Sequence, residues 1–267
     1  MQKKRLWLSN LEDKINLYTS FLLHSNMRRV VVIGGGFAGS YIAKKLESKF
    51  KVTLIDTKNY FEYTPGILRT IIEPEHLKKL HARHKDYLKK AKIVLGSVSE
   101  ASKKHVKVNG KLIKYDYLTI CTGSSYCAPI KTHDVVSVNR AEILLKSTSK
   151  LKKAKNILIV GGGLVGVELA AEIALKYREK KVFIVQSGAT LIPRSHEKSI
   201  KYATDFLIKK GVEIISNEKV VSDRGRIFYT NTGRNIKADL AYFCIGIISN
   251  SGFMKKFFCD RLEENGL

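Results

Sequence analysis

Gly34, Gly36 and Gly39 stand at the spacing G-x-G-x-x-G, and Asp56 lies 22 positions after the first of them. That set of residues binds a diphosphate and a ribose. The first glycine permits a tight turn, the second lets the backbone approach a pyrophosphate, and the third lets helix and strand pack closely. N–H groups at the start of the helix add donors and positive partial charge for the phosphates. A carboxylate at Asp56 accepts hydrogen bonds from an adenosine ribose. Gly161, Gly163 and Gly166 repeat the device, but Gln186 stands where Asp56 stands in the first copy. A carboxylate bonds both ribose hydroxyls and repels a 2′-phosphate, whereas a neutral amide bonds without repelling. The two copies are therefore expected to hold different dinucleotides; a duplication with one idle site is the competing reading.

The elements that must position these residues are legible around them. Residues 30–33 are a continuously apolar, β-branched run of the kind a buried parallel strand requires. A helical stretch with Ala43 and Leu46 comes next, then an apolar run over 52–55 that ends in Asp56. In the second copy, strands are predicted over 157–160 and 182–185. The apolar window 157–175 contains Gly161 to Gly163, Glu168 and Glu172, so it reads as strand, turn and helix and not as a membrane span. Later, "KYDYLTICTGS" (114–124) runs as a strand into a Thr-Gly turn, and "IKADLAYFCIGIISN" (236–250) repeats that exit behind the second copy. Two such units in one chain suggest a flavin in one and a nicotinamide in the other, placed for hydride transfer.

Composition narrows the class. The chain of 267 residues carries 48 Lys plus Arg against 24 Asp plus Glu, a net charge of +24. Such a surface attracts polyanions, but no block of five like charges and no aromatic-interleaved basic stripe marks a nucleic-acid groove. No nucleic-acid partner is expected. Four cysteines without a C-x-x-C pair suit a reduced, cytoplasmic setting. Cys121 and Cys127 fall at a nucleotide-binding turn and are read as structural. His76, His81 and His84 with Asp86 lie among lysines and arginines, so they read as a solvated basic helix and not as a metal site. No metal is expected. Residues 1–26 differ in character from the rest of the chain. Leu8, Leu11, Ile15, Tyr18 and Leu22 recur at helical spacing behind Lys3, Lys4 and Arg5, which suits a helix peripheral to the inner face of the cell membrane. The alternative is a true start at Met27.

With both glycine turns, "NYFEYTPGILR" after Asp56 and the two strand exits in place, residues 28–267 resemble the two-dinucleotide flavoproteins, the pyridine nucleotide-disulfide oxidoreductases. Asn59-Tyr60-Phe61, Thr64-Pro65 and Leu68-Arg69 are most similar to type II NADH:quinone oxidoreductases and to apoptosis-inducing-factor-like ferroptosis suppressor proteins. The resemblance implies that Gly34, Gly35, Gly36, Phe37, Ala38, Gly39, Asp56, Thr57, Lys58, Arg69 and Val98 contact FAD, with Thr122 and Gly123 closing over its pyrophosphate side. It implies that Gly161, Gly163, Leu164, Val165, Gly166, Gln186 and Gly246 hold NAD(P)H. Glu168 matches an acid that the family places near flavin and nicotinamide; a carboxylate favoured by its helix end is the plainer reading. Residues 57–80 lack the redox cysteine pair of the disulfide reductases, which implies direct transfer from flavin to acceptor.

The expected fold is therefore α/β, with two Rossmann-like three-layer domains, the second inserted in the first. Residues 27–130 and 240–267 are assigned to an FAD domain and 131–239 to an NAD(P) domain. The expected reaction passes hydride from NAD(P)H to FAD and on to a quinone or similar acceptor. The resembled proteins continue beyond "RLEENGL" with a Gly-Asp that grips the flavin and with a further domain. The same reading therefore expects a C-terminal partner segment, and keeps a non-catalytic dinucleotide-binding subunit as the alternative.

Overall fold

The computed structural model describes residues 27–126 and 140–263. The N-terminal helix expected over residues 1–26, Cys127 and the domain boundary expected at 130/131 lie outside them. Two compact units separate. One runs to Phe61, resumes over Ala82–Gly123 and again from Ser251; the other takes Glu62–His81 and Ser124–Asn250.

In the first unit four parallel strands lie in the order Lys92–Leu95, Lys51–Asp56, Arg29–Ile33, Tyr117–Ile120. The apolar run that begins the chain's first glycine turn is thus central, with Val30 opposite both Val52 and Tyr117. Alternate residues of a strand face opposite sides, so Val30, Val32, Val52 and Leu54 pack under the Phe37–Leu46 helix with Ala43 and Leu88. Val31, Ile33 and Ile55 face the other way, against Val98, Ala101, Val106 and Val108 of a three-stranded antiparallel sheet. Phe253 and Phe258 pack against that same cluster. Helix, parallel sheet and antiparallel sheet make three layers around two apolar interfaces.

The second unit repeats this arrangement. Its parallel strands run in the order Val212–Ser216, Lys181–Gln186, Asn156–Val160, Leu240–Phe243. Ile157, Ile159, Val182 and Ile184 pack with Leu169, Ala170 and Ile173 of the Leu164–Lys176 helix. Leu158, Val160 and Val185 pack on Phe228 and Ile236 of a second three-stranded antiparallel sheet. The Leu240–Phe243 strand, which sequence order had set at the return to the first domain, closes this second sheet, with Ile157 opposite Leu240. Tyr242 of this strand is buried in the second unit's core, its phenol 3.3 Å from Ser147 Oγ. The Glu62–His81 segment also belongs here. Glu62, nearly fully buried, lies 3.3 Å from Arg140 Nε and 3.3 Å from His81 Nε2.

No helix among the described residues is long and apolar enough to cross a membrane.

Candidate dinucleotide sites

The two glycine turns are built alike, and each glycine has its own reason. Gly34 has φ +95°, and a Cβ there would meet the Cys121 carbonyl oxygen at 2.4 Å. Gly161 has φ +108°, with the Cys244 carbonyl oxygen at 2.8 Å from such a Cβ. These are positions where an L side chain is strained by the backbone and has no room. A Cβ on Gly39 would lie 1.8 Å from the Gly34 carbonyl oxygen, and one on Gly166 1.9 Å from that of Gly161. Here the helix rests directly on the turn. At Gly36 and Gly163 the opposite holds: a Cβ would meet nothing within 4 Å. Both are extended residues at the N-cap of their helices, and no side chain caps either end. Each turn therefore leaves an open cradle at its second glycine, before an uncapped helix N terminus, where a pyrophosphate fits.

The strand ends beside the turns differ. Gln186 Oε1 accepts the Gly162 N–H at 2.9 Å, so the second strand is tied straight to the middle residue of its turn. Its amide NH2 has no partner among the described residues. Asp56 is buried, and its Oδ2 lies 2.9 Å from Nε2 of His84, whose side chain is 0% exposed. His84 Nδ1 lies 2.5 Å from the Tyr87 hydroxyl, which lies 2.7 Å from Ser40 Oγ. Ser40 in turn donates to the Gly35 carbonyl at 2.7 Å. Burial raises the Tyr87 phenol, Ser40 partly offsets this, and the Asp56 charge adds to it.

His84 corrects the expectation of a solvated basic helix over this region. The segment breaks into a Pro74–Lys79 3-10 turn, a His81–Arg83 strand and a single helical turn at His84–Tyr87. The His84 N–H donates to the Asn59 carbonyl at 3.0 Å, which turns the ring inward beneath Asp56. Among the described residues no group of three His, Cys, Asp or Glu could hold a metal ion. Sequence reasoning does not find the roles of Ser40, Tyr87 and His84, because a histidine between lysines carries no periodic signal.

The other expected residues occupy varied surroundings. Phe37 and Ala38 begin the first helix exposed, with the Phe37 ring edge-on to Phe61 at 5.0 Å. Thr57 and Lys58 come after Asp56 half-buried, and Thr122 and Gly123 leave the Tyr117–Ile120 strand, Gly123 with φ +60°. A Cβ on Gly34 would touch Thr122 Cα at 3.1 Å, so this strand exit abuts the turn. Gly246, with φ +70°, is exposed beyond the Leu240–Phe243 strand. Leu164 and Val165 open the second helix, Leu164 exposed. Val98 is buried in the first unit's core. Arg69 lies in the second unit, where its Nε is 3.2 Å from Glu73 Oε2. Glu168 stands on the second helix, one turn before Glu172; its partly desolvated position and then the Glu172 charge push its carboxyl up.

Residues 28–265, most of the chain, match the pyridine nucleotide-disulphide oxidoreductase family. The chain belongs to that family. Family members are NAD(P)H-dependent flavoprotein oxidoreductases, for which FAD is characteristic. Apoptosis-inducing factor homolog B of Dictyostelium discoideum is 34% identical over 270 residues, covering 91% of this chain and 70% of that protein. Ferroptosis suppressor protein 1 of Homo sapiens is 27% identical over 260 residues, covering 91% of this chain and 69% of that protein. Among solved structures, NDH2 from Plasmodium falciparum in complex with NADH superposes with a TM-score of 0.71 at 18% identity, over 90% of this chain. The water-forming NADH oxidase from Lactobacillus brevis bound to NADH gives 0.73 at 20% identity, also over 90%. The chain spans 59% and 58% of those two solved chains. The shared fold confirms the expected α/β class with two Rossmann-like, three-layer units.

Proposed function

We propose that the first unit holds FAD, that the second holds NADH or NADPH, and that the protein passes reducing equivalents to a quinone or similar small acceptor. The observation that carries this reading is the pair of matched cradles, open at Gly36 and at Gly163, beside strand ends that differ as Asp56 and Gln186. FAD and the nicotinamide nucleotide supply the hydride chemistry when bound. The chain's own residues bind and orient. The helix starting at Phe37 offers N–H groups to the FAD phosphates, and Asp56 takes the adenosine ribose. The helix starting at Leu164 does the same for NAD(P)H, with the Gln186 amide at its ribose. Thr122, Gly123 and Gly246 are assigned to the strand exits that border each nucleotide, and Glu168 to a carboxyl that keeps its proton to higher pH. Quinone as acceptor rests on the likeness to type II NADH:quinone oxidoreductases, and it accords with a peripheral position at the inner face of the cell membrane.

Gly36→Ala and Gly163→Ala test the reading, because neither methyl meets any protein atom and both backbones are extended. Melting should be unchanged in both variants. Gly36→Ala should lower FAD content, whereas Gly163→Ala should keep the flavin and weaken its bleaching by NADH. Two variants that bind and bleach like the parent would overturn the assignment of both cradles. A parent protein that retains FAD without bleaching would instead support a binding subunit.

A further inference from the structure

The contacts behind Asp56, buried at His84 and half-buried at Tyr87 and Ser40, have a proton count that a carboxylate beside a neutral imidazole does not satisfy. Four gaps run in series: Asp56 Oδ2 to His84 at 2.9 Å, His84 to Tyr87 at 2.5 Å, Tyr87 to Ser40 at 2.7 Å, and Ser40 to the Gly35 carbonyl at 2.7 Å. Both ends of the series, a carboxylate and a backbone carbonyl, accept only. A neutral imidazole, a phenol and a hydroxyl bring one proton each, one fewer than the gaps between them. Tyr87 is a poor candidate to ionise, since burial raises its phenol. An imidazolium donates from both ring nitrogens and completes the series: His84 to Asp56, His84 to Tyr87, Tyr87 to Ser40, Ser40 to Gly35. Of the charged groups around it, Lys85 and Lys89 are exposed, and the others are engaged. Arg83 and Asp86 pair with each other at 2.9 and 3.0 Å, and the Lys44 ammonium holds the Tyr87 carbonyl and Glu47 at 2.7 and 2.8 Å.

We propose that His84, as an imidazolium, is the positioning residue that aims Asp56 at the adenosine ribose of FAD; this rests on the assignment of that ribose to Asp56. Oδ2 is held by His84, and Oδ1, which takes no hydrogen bond among the described residues, is the oxygen left for the ribose. Because the series ends on Gly35, the ribose acceptor and the phosphate turn are locked together as one piece. Gly35 has no room to be anything else: its Cβ would lie 2.4 Å from Asp56 Oδ2 and 2.5 Å from His84 Cε1. The second unit reaches the same end differently, with Gln186 bonded directly to Gly162.

The test pairs variants of the full chain, stripped of flavin, with two ligands tracked by flavin fluorescence: FAD, and FAD whose adenosine ribose lacks its 2′- and 3′-hydroxyls. His84→Leu should weaken FAD about tenfold, the order expected for charge-assisted hydrogen bonds lost, while binding of the dideoxy analogue changes less than about twofold. His84→Gln, whose amide can still donate to Asp56, should recover most of the loss. Equal losses for both ligands would make His84 a packing residue and overturn the proposal. Asp56→Asn should show the same hydroxyl-dependent loss. If it does while His84→Leu does not, only the role of His84 falls; if it does not, the ribose assignment falls with it. Should His84→Leu fail to fold, nitrogen-15 spectra of the unaltered protein decide, since an unprotonated His84 ring nitrogen at neutral pH would contradict the imidazolium.

Discussion

Glu47 caps the helix next to the first glycine turn, and its replacement by Gln should cost stability in a pH-dependent way. The side chain is only 6% exposed. Its Oε1 accepts from the Lys44 ammonium at 2.8 Å, and its Oε2 accepts the backbone N–H groups of Lys89, Lys90 and Ala91 at 2.8, 2.8 and 3.1 Å. Burial alone would push the carboxyl up; Lys44 and the three N–H donors outweigh it and hold it at about 2, down from 4.5. At about 1.4 kcal/mol per pH unit, that displacement bounds the contribution near ~3 kcal/mol, and solvent around the half-exposed Lys44 reduces the working figure to about 2 kcal/mol. The sign comes from the unfolded chain binding the proton first as pH falls. The contribution is therefore complete above the usual carboxylate range and drains away as pH falls towards 2. Urea unfolding at pH 7 should show Glu47→Gln weaker by about 2 kcal/mol, and by pH 3 more than half of that gap should have closed. An identical gap at the two pH values would show that Glu47 acts through packing and not through its charge.

Three substitutions at the nucleotide sites should behave distinctly. Gly39→Ala forces a methyl to within 1.8 Å of the Gly34 carbonyl oxygen, so both flavin content and melting temperature should drop, by at least ~2 kcal/mol in stability; an unchanged melt would mean the helix can slide off the turn. Gln186→Glu keeps the acceptor that bonds Gly162 and adds a charge beside the assigned ribose, so preference in steady-state assays should move from NADPH towards NADH by more than about tenfold. Glu168→Gln removes the raised carboxyl and should slow flavin reduction in stopped flow while leaving NADH affinity nearly intact.

Much of the architecture could be read from the chain because glycine spacing and β-branched runs are local signals. The strand–turn–helix of residues 29–46 and that of 156–176 form where those patterns stand. The difference between Asp56 and Gln186 was legible for the same reason. Their surroundings were not. His84 lies 28 residues beyond Asp56 between lysines and arginines, and only the Asn59 hydrogen bond and the break at Arg83 turn it into the core. Gly35 looked like one more residue of the turn, yet its lack of a side chain is dictated by Asp56 and His84. The domain boundary drawn at 240 set Leu240–Phe243 with the first unit, whereas the strand pairs with Asn156–Val160 and buries Tyr242 beside Ser147. Arg69 was matched by motif, whereas its nearest acid is Glu73, one helical turn away.

The first unit is made from three separated lengths of chain, and this sets an order of events during synthesis. Arg29–Ile33 is an inner strand of its sheet, but the Tyr117–Ile120 strand that pairs with it comes only after more than eighty intervening residues, a costly loop to close. Phe253 and Phe258 come later still, after every strand of the second unit has left the ribosome. The second unit can therefore finish while the first still shows solvent part of the apolar face made by Val98, Ala101 and Val106. Chains interrupted before Ser251 would keep that face uncovered, and they are the species in which aggregation and chaperone capture should concentrate.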